Sequence, residues 1–169
     1  MTEFSERAAD FWTDKDRAEN KADADYIFSR IETFARSCKN GVLGTGHGNE
    51  IRCTPVDYTF HDGAFWIFSE GGRKFTHLHH NPNVSFAVYD TSGTFANLHS
   101  IQVFGTAELI EPFCDEYVRN LELRKIPVKG VRNLPYPMYL IKITPVEMIL
   151  LDSSMKKDGF GNRQVWKKN

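Results

Sequence analysis

The sequence predicts a mainly β domain with flanking helices (α+β), in which six strands form a closed or nearly closed antiparallel barrel. Three observations indicate this fold class. Most runs after residue 40 have a period of two, which is typical of strands. Short turns such as GHGN and HDG separate the first of these runs, and both suit β-hairpins. Helical patterns are few and do not alternate regularly with the strands, so a parallel sheet is disfavoured.

The chain begins with a charged segment and continues into one amphipathic helix. Residues 1–24 have few apolar positions, and we expect them to form a helical extension. Asp23 or Asp25 caps the next helix, and Gly41 follows its end. Within this helix, apolar side chains recur at helical spacing at Ile27, Phe28, Ile31, Phe34, Ala35 and Cys38.

The six predicted strands occupy the rest of the domain, which we place at residues 25–152. VLGT, EIRCTPVDYTF and AFWIFSE form an antiparallel meander, and NVSFAVYD, IQVFGTAELI and MYLIKITPVEMILLD follow. A helix is predicted around PFCDEYVRNLELRKI. The glycines of LGTGHGNE belong to a hairpin turn, because a phosphate-binding loop should open a helix and a strand pattern follows instead. Residues 153–169 form a mostly polar tail.

Composition excludes several classes of function. The 169 residues carry a formal net charge of −1 from 21 basic and 22 acidic side chains, so we expect no nucleic acid and no anionic membrane as partner. The apolar runs are shorter than the ~20 residues that span a bilayer, and no signal pattern opens the chain. We therefore expect a cytoplasmic protein. Three widely separated cysteines indicate neither a disulfide framework nor a zinc site.

The segment GGRK carries the most specific chemistry. Gly71 and Gly72 allow an oxyanion to approach the main chain. Arg73 offers a planar fork for two phosphate oxygens, and Lys74 adds a mobile charge. Both lie at the predicted start of a short helix, where unpaired N–H groups favour an anion. The segment is therefore a candidate phosphate site, and the alternative is a loop that the two cations merely solubilise.

A histidine-rich stretch, THLHH, follows the cations. Only His77 and His80 share a helical face, and no neighbouring cysteine or carboxylate supplies a third metal ligand. Phe75 and Leu78 are expected to form the buried stripe. We therefore expect the histidines on the solvent side and no metal.

The stretch FWIFSEGGRKFTHLHHNPNVSFAVYD is similar to the signature of the pyridoxamine 5′-phosphate oxidase-like FMN-binding split-barrel superfamily. RCTPVDY, QVFGTAEL and ITPVEMILLD fit the same pattern in the same order, and the resemblance covers residues 25–152. It implies a homodimer of six-stranded split barrels with two flavins at the interface. Arg73 and Lys74 would bind the FMN phosphate, with Ser69 and the backbone at Gly72.

The resemblance also assigns residues to the rest of the cofactor. The strand along the isoalloxazine ring would contribute Arg52, Cys53, Thr54, Pro55 and Val56. Gln102 would contact the ring or the ribityl chain, either within one chain or across the interface. Trp166 would cover the flavin.

Departures from the family pattern bear on the reaction. True pyridoxamine phosphate oxidases have RxVLLK on the ring-binding strand, whereas this chain has RCTPVDY, with Arg52 one position out of register and Tyr58 in place of the lysine. Their C-terminal RLHDR-like motif is missing as well. We therefore expect an FMN-dependent oxidoreductase or flavin reductase, with NAD(P)H or another small molecule as electron donor, and not the vitamin B6 reaction.

No acid–base set or nucleophile stands out in the sequence, which agrees with chemistry carried by a cofactor. The alternative is a non-catalytic module on the same fold that holds flavin, deazaflavin or haem as a sensor or store.

Overall fold

An antiparallel sheet organises the computed structural model, which describes residues 3–94 and 96–168. In this part of the chain there are five α-helices: α1 (Glu3–Ala18), α2 (Ala24–Ser37), α3 (Arg73–His80), α4 (Asp115–Leu123) and α5 (Val128–Arg132). The strands are β1 (Asn40–His47), β2 (Glu50–Asp57), β3 (Thr59–His61), β4 (Ala64–Ser69), β5 (Asn83–Tyr89), β6 (His99–Ile110), β7 (Tyr139–Asp152) and β8 (Arg163–Lys167). A 3-10 helix, Ser153–Asp158, precedes β8.

The strand order is β2-β1-β5-β6-β7-β4-β3, so β2 and β3 form the two edges of a half-barrel. Strand β7 is long enough to pair with two partners on one side. Its first part pairs with β4, from Tyr139 opposite Ser69 to Ile143 opposite Phe65. Its second part pairs with β8. The half-barrel is therefore open between β2 and the β3–β4 hairpin.

The core lies inside this curved sheet, because alternate side chains of each strand point inward. Helix α2 covers it with Ile27, Ile31 and Phe34. The largest buried side chains of the strands in this core are Leu43, Phe60, Phe65, Ile67, Phe86, Ile101, Ile141, Ile143, Met148 and Leu150. Helix α4 packs on the other side of the sheet, where Tyr117 and Leu121 contribute to a second apolar cluster with Trp66 and Leu140.

The mainly β antiparallel architecture with flanking helices is confirmed, but the prediction of six strands is wrong, since the described residues form eight. One predicted strand, EIRCTPVDYTF, is divided at Tyr58. The Tyr58 N–H donates to the Lys39 carbonyl (2.9 Å) in register with the β1–β2 pairing, and its hydroxyl donates to the Ala35 carbonyl (2.8 Å). From Thr59 onward the chain pairs with β4 instead. The eighth strand comes from the tail, where Gln164 is buried and Val165 is exposed.

The turns follow the sequence prediction. GHGN connects β1 to β2, and Gly48 has a φ of 56°. HDG connects β3 to β4, where Asp62 (φ 51°) and Gly63 (φ 71°) both adopt the left-handed conformation that two-residue hairpins require. The helix predicted near PFCDEYVRNLELRKI is present as α4.

The segment after α1 is hydrogen-bonded to the C-terminal tail. Gln164 is fully buried, and its Nε2 donates to the carbonyls of Asn20 (3.2 Å) and Gly161 (2.6 Å). Its Oε1 accepts from the Ala22 N–H at 3.1 Å. The two ends of the chain therefore meet at β8. None of the helices in the described ranges has both the length and the hydrophobicity needed to cross a membrane.

Candidate functional site

The site begins where β4 ends and helix α3 starts. Gly71 (φ 126°) and Gly72 (φ 100°) form the connection in conformations that favour glycine. The Ser69 hydroxyl accepts a hydrogen bond from the Gly71 N–H at 3.3 Å. Lys74 folds back over this loop, and its Nζ donates to the Gly71 carbonyl at 2.6 Å. The ammonium group is thus held beside the glycine loop, with a side chain that is only 9% exposed.

A second cation, Arg52, lies two residues before Thr54 and therefore on the same, partly buried face of β2. Burial and, after it, the charge of Arg52 lower the pKa of Lys74. In the described residues neither cation forms an ion pair with a carboxylate. Arg52 Nε and the Thr54 hydroxyl are buried without a hydrogen-bond partner among those residues. An unpaired guanidinium N–H and an unpaired hydroxyl on one strand face fit an anion, since such groups are costly to leave unsatisfied.

The adjacent cations of the sequence motif point in different directions. Consecutive helical residues are about 100° apart, so Arg73 and Lys74 do not share a face. Lys74 points inward, whereas Arg73 is exposed and forms no ion pair within the described part of the chain. The structure therefore brings Lys74 together with Ser69, Gly72 and Arg52, and places Arg73 at the rim.

A pocket of about 560 Å³ extends from Lys74 along the opening between β2 and β4. This volume falls within the ~300–1,000 Å³ typical of ligand sites. The walls come from three parts of the chain: Thr54, Pro55, Val56 and Asp57 on β2, Phe68 to Gly71 at and just after the end of β4, and Arg124, Ile126 and Met138 near helix α4. Arg124 forms an ion pair with Asp57 and lies 5.8 Å from the Phe68 ring centre. The pocket therefore combines apolar walls with charged groups of both signs.

Strand β2 presents free backbone groups to this opening. It pairs along its whole length with β1 and, among the described strands, with no other. The N–H and C=O groups on its second edge are thus available to the polar edge of a planar ligand. These positions include the predicted ring-binding residues Thr54, Pro55 and Val56.

Three predicted contacts lie outside this pocket. Cys53 and Gln102 are exposed on the outer face of the sheet, opposite to the core. Trp166 packs against Phe28, with ring centres 5.1 Å apart, and lines a separate cavity of about 370 Å³. Within one chain these residues are therefore not brought together with Lys74.

The prediction that the histidines of THLHH lie on the solvent side is wrong for His77. Its side chain is 3% exposed, on the same face of helix α3 as Lys74. Nδ1 is 3.2 Å from the Thr45 hydroxyl and Nε2 is 3.3 Å from Glu50. Phe75 and Leu78, the expected buried stripe, are only half-buried. The spacing of polar residues at 74 and 77 was the only signal for this inward face.

Comparison with known families identifies the fold. The family model described as pyridoxamine 5′-phosphate oxidase matches residues 27–149, which is most of the chain. The chain belongs to the pyridoxamine 5′-phosphate oxidase family. The match includes the glycine loop, both inward cations and all strands that line the pocket. No curated protein matches the sequence significantly.

Solved structures of related fold carry different cofactors in their names. An FAD-binding protein from Mesorhizobium loti is 18% identical, with a TM-score of 0.59, and the match covers 72% of this chain and 89% of that one. An FAD-binding protein from Mycobacterium smegmatis is 14% identical (TM-score 0.52; 71% and 88% covered). A heme storage protein from Vibrio cholerae is 15% identical (TM-score 0.56; 69% and 88% covered). At these identities the likeness shows the fold.

Tyr58 explains part of how this member departs from the pyridoxamine 5′-phosphate oxidase pattern. It is 3% exposed and faces the core, where its hydroxyl is bonded to helix α2. Burial raises the pKa of Tyr58, so the phenol stays neutral. A lysine at this position would be buried in the core, and the side chain present does not reach the pocket.

Proposed function

We propose that this chain is an FMN-binding flavoprotein that acts as an oxidoreductase or flavin reductase and is not a true pyridoxamine phosphate oxidase. The observation that carries the proposal is the pair Arg52 and Lys74, two cations without a carboxylate partner in the described residues, beside unsatisfied donors of Arg52 and Thr54. A dianionic phosphate matches this arrangement in charge and in hydrogen bonding.

The residues present divide between the two parts of the cofactor. Lys74, Arg52, Thr54 and Ser69 would hold the phosphate, with Arg73 adding charge from the rim. The backbone of β2 from Thr54 to Val56 would bind the polar edge of the ring in the apolar part of the pocket. When bound, FMN supplies the hydride-transfer chemistry. The chain supplies binding and orientation and excludes water around Phe68 and Met138.

A homodimer would complete the site. The outer face of the sheet is continuous from β2 to β8 and exposes apolar side chains such as Ile51 (85% exposed), Phe104 (43%) and Val165 (41%). Contiguous exposed apolar surface is typical of protein interfaces. Gln102 lies in this face between Ala87 and Ile149. In a dimer formed through this face, Gln102 and Cys53 would lie at the interface.

The second candidate is a non-catalytic module that stores or senses flavin, deazaflavin or haem. It is supported by the heme storage protein among the structures of the same fold. The two candidates differ in turnover. The enzyme would be reduced by NADH or NADPH and reoxidised by air, whereas the module would bind its cofactor and remain inert to both.

The test is a visible titration of the purified protein with FMN, FAD and haem, followed by anaerobic addition of NADH or NADPH. Stoichiometric FMN binding with bleaching of the visible flavin absorbance, as expected for flavin reduction, supports the oxidoreductase. FMN binding without bleaching favours the module. Tight binding of haem with no affinity for FMN contradicts the flavin site.

A further inference from the structure

His77 connects helix α3 to both strands of the first hairpin. The Thr45 hydroxyl on β1 is 3.2 Å from Nδ1, and the Glu50 carboxylate on β2 is 3.3 Å from Nε2. With Nε2–H donating to Glu50 and Nδ1 accepting from Thr45, one tautomer satisfies both contacts. An imidazole engaged at both nitrogens and buried to 3% exposure is fixed in orientation.

These contacts occur next to the proposed phosphate site. Lys74 lies three residues before His77, one helical turn away on the same buried face. Thr45 is directly opposite Arg52 in the β1–β2 register, and opposed residues in an antiparallel pair point to the same face. The imidazole therefore connects the helix that carries Lys74 to the strands that carry Arg52.

The two cations need such a connection before a ligand arrives. Burial and the charge of Arg52 both lower the pKa of Lys74, so the ammonium and the guanidinium repel each other in the protein alone. Within the described residues neither cation forms an ion pair with a carboxylate that would offset this repulsion. Hydrogen bonds between this helix region and the β1–β2 hairpin oppose the repulsion. A second polar link between this region and β1 comes from Asn81, whose side-chain amide donates to the Gly46 carbonyl at 3.0 Å.

We propose that His77 is a positioning residue that holds Lys74 and Arg52 at the spacing a phosphate group requires. The inference rests on the proposed function and extends it to a residue that touches no ligand. The positioning role predicts that only one part of the cofactor affinity depends on His77. Loss of the imidazole weakens the part of the affinity that comes from the phosphate and leaves the affinity for the flavin ring nearly unchanged.

The readout is the ratio of the Kd for riboflavin to the Kd for FMN, measured by fluorescence titration of the full chain. His77→Phe retains an aromatic ring and removes both contacts. We expect the ratio to fall by about 5- to 30-fold, which corresponds to about 1–2 kcal/mol, because loss of the contacts to Thr45 and to the Glu50 carboxylate leaves the two cations less well positioned for a phosphate. His77→Asn keeps an amide near the Nδ1 position and should recover part of the ratio. The matched control is His79→Phe on the exposed side of the same helix, which should leave the ratio unchanged.

The outcomes separate the two proposals. A parent protein that binds riboflavin as tightly as FMN overturns the phosphate site and the role of His77 together. If the parent prefers FMN and the ratio in His77→Phe is within about twofold of the parent's ratio, the positioning role alone is overturned. Equal weakening of FMN and riboflavin binding has the same meaning, because it indicates a purely structural role. If His77→Phe does not fold, Thr45→Val removes one of the two contacts, and an unchanged ratio in that variant is equally decisive.

Discussion

Replacing Lys74 with methionine removes a buried ammonium group and keeps an unbranched side chain of similar length. The ammonium has three donors, of which one is used by the Gly71 carbonyl at 2.6 Å. The other two are available to a phosphate. A hydrogen bond to a charged group contributes about 1.5–3 kcal/mol, so losing one should weaken FMN binding by roughly 10- to 150-fold. Riboflavin, which has no phosphate, should change by less than about twofold on the same reasoning.

The matched control is Arg73→Met, the same substitution one position earlier. Arg73 is exposed, and solvent screens exposed ion pairs to about 0.2–1 kcal/mol, so we expect a loss of only about 1.5- to 5-fold. Isothermal titration of FMN and riboflavin into both variants measures the comparison. A larger loss in Arg73→Met than in Lys74→Met would refute the assignment of the inward cation to the phosphate.

Although Lys74→Met should weaken FMN binding, it should not lower the stability of the protein without ligand. The pKa of Lys74 is lowered by burial and by Arg52, so folding disfavours its charged form. The unfolded chain then binds more protons in the window between the folded and unfolded pKa, and stability of the parent rises with pH through that window. The Lys74→Met variant should lack this rise and should unfold at an equal or higher temperature at pH 7. FMN affinity should instead fall as Lys74 loses its proton at alkaline pH.

Three further predictions test other parts of the structure. Phe104→Glu should convert a dimer to monomers in sedimentation experiments, whereas Leu123→Glu, an exposed control on helix α4, should not. Tyr58→Phe removes a buried hydrogen bond and should lower the free energy of unfolding by about 0.5–1.5 kcal/mol with FMN affinity unchanged. Burial would raise the pKa of Asp152, but hydrogen bonds from Arg30 and Ser154 dominate and lower it to about 2. The stability that this carboxylate contributes is therefore present above about pH 4 and lost between about pH 4 and 2. The Asp152→Asn variant should show a flatter acid denaturation curve in that pH range.

Much of the fold was predictable because its signals are local. The hairpins at GHGN and HDG depend on turn residues that adopt positive φ, and α2 depends on a helical period that its own sequence displays. The division at Tyr58 was not predictable, because it depends on pairing partners that only the folded chain brings near: the residues before Tyr58 pair with β1 and those after it pair with β4. Strand β8 was missed for a similar reason. Its short run becomes a strand through pairing with β7, and the burial of Gln164 depends on residues 20–22 at the other end of the chain.

The candidate site shows the same division between local and non-local information. The GGRK motif was recognisable from glycines and charges alone, and it did locate the start of α3. The motif did not reveal which side chains of α3 face inward. Because Lys74 and His77 face inward, Arg73 points to solvent, and the second cation near Lys74 comes from Arg52, 22 positions earlier in the chain.

The two cations come from different parts of the chain, and this has a consequence for how the cofactor would affect the protein. Arg52 lies on the edge strand β2, and Lys74 follows β4 at the opposite side of the opening in the half-barrel. The strands on the two sides of this opening are not joined by a ladder of hydrogen bonds. A phosphate bound by both cations would supply attraction across the gap where the protein alone has repulsion. We therefore expect FMN, more than riboflavin, to slow hydrogen exchange in β2. Equal protection by the two ligands would mean that the phosphate does not bridge the opening.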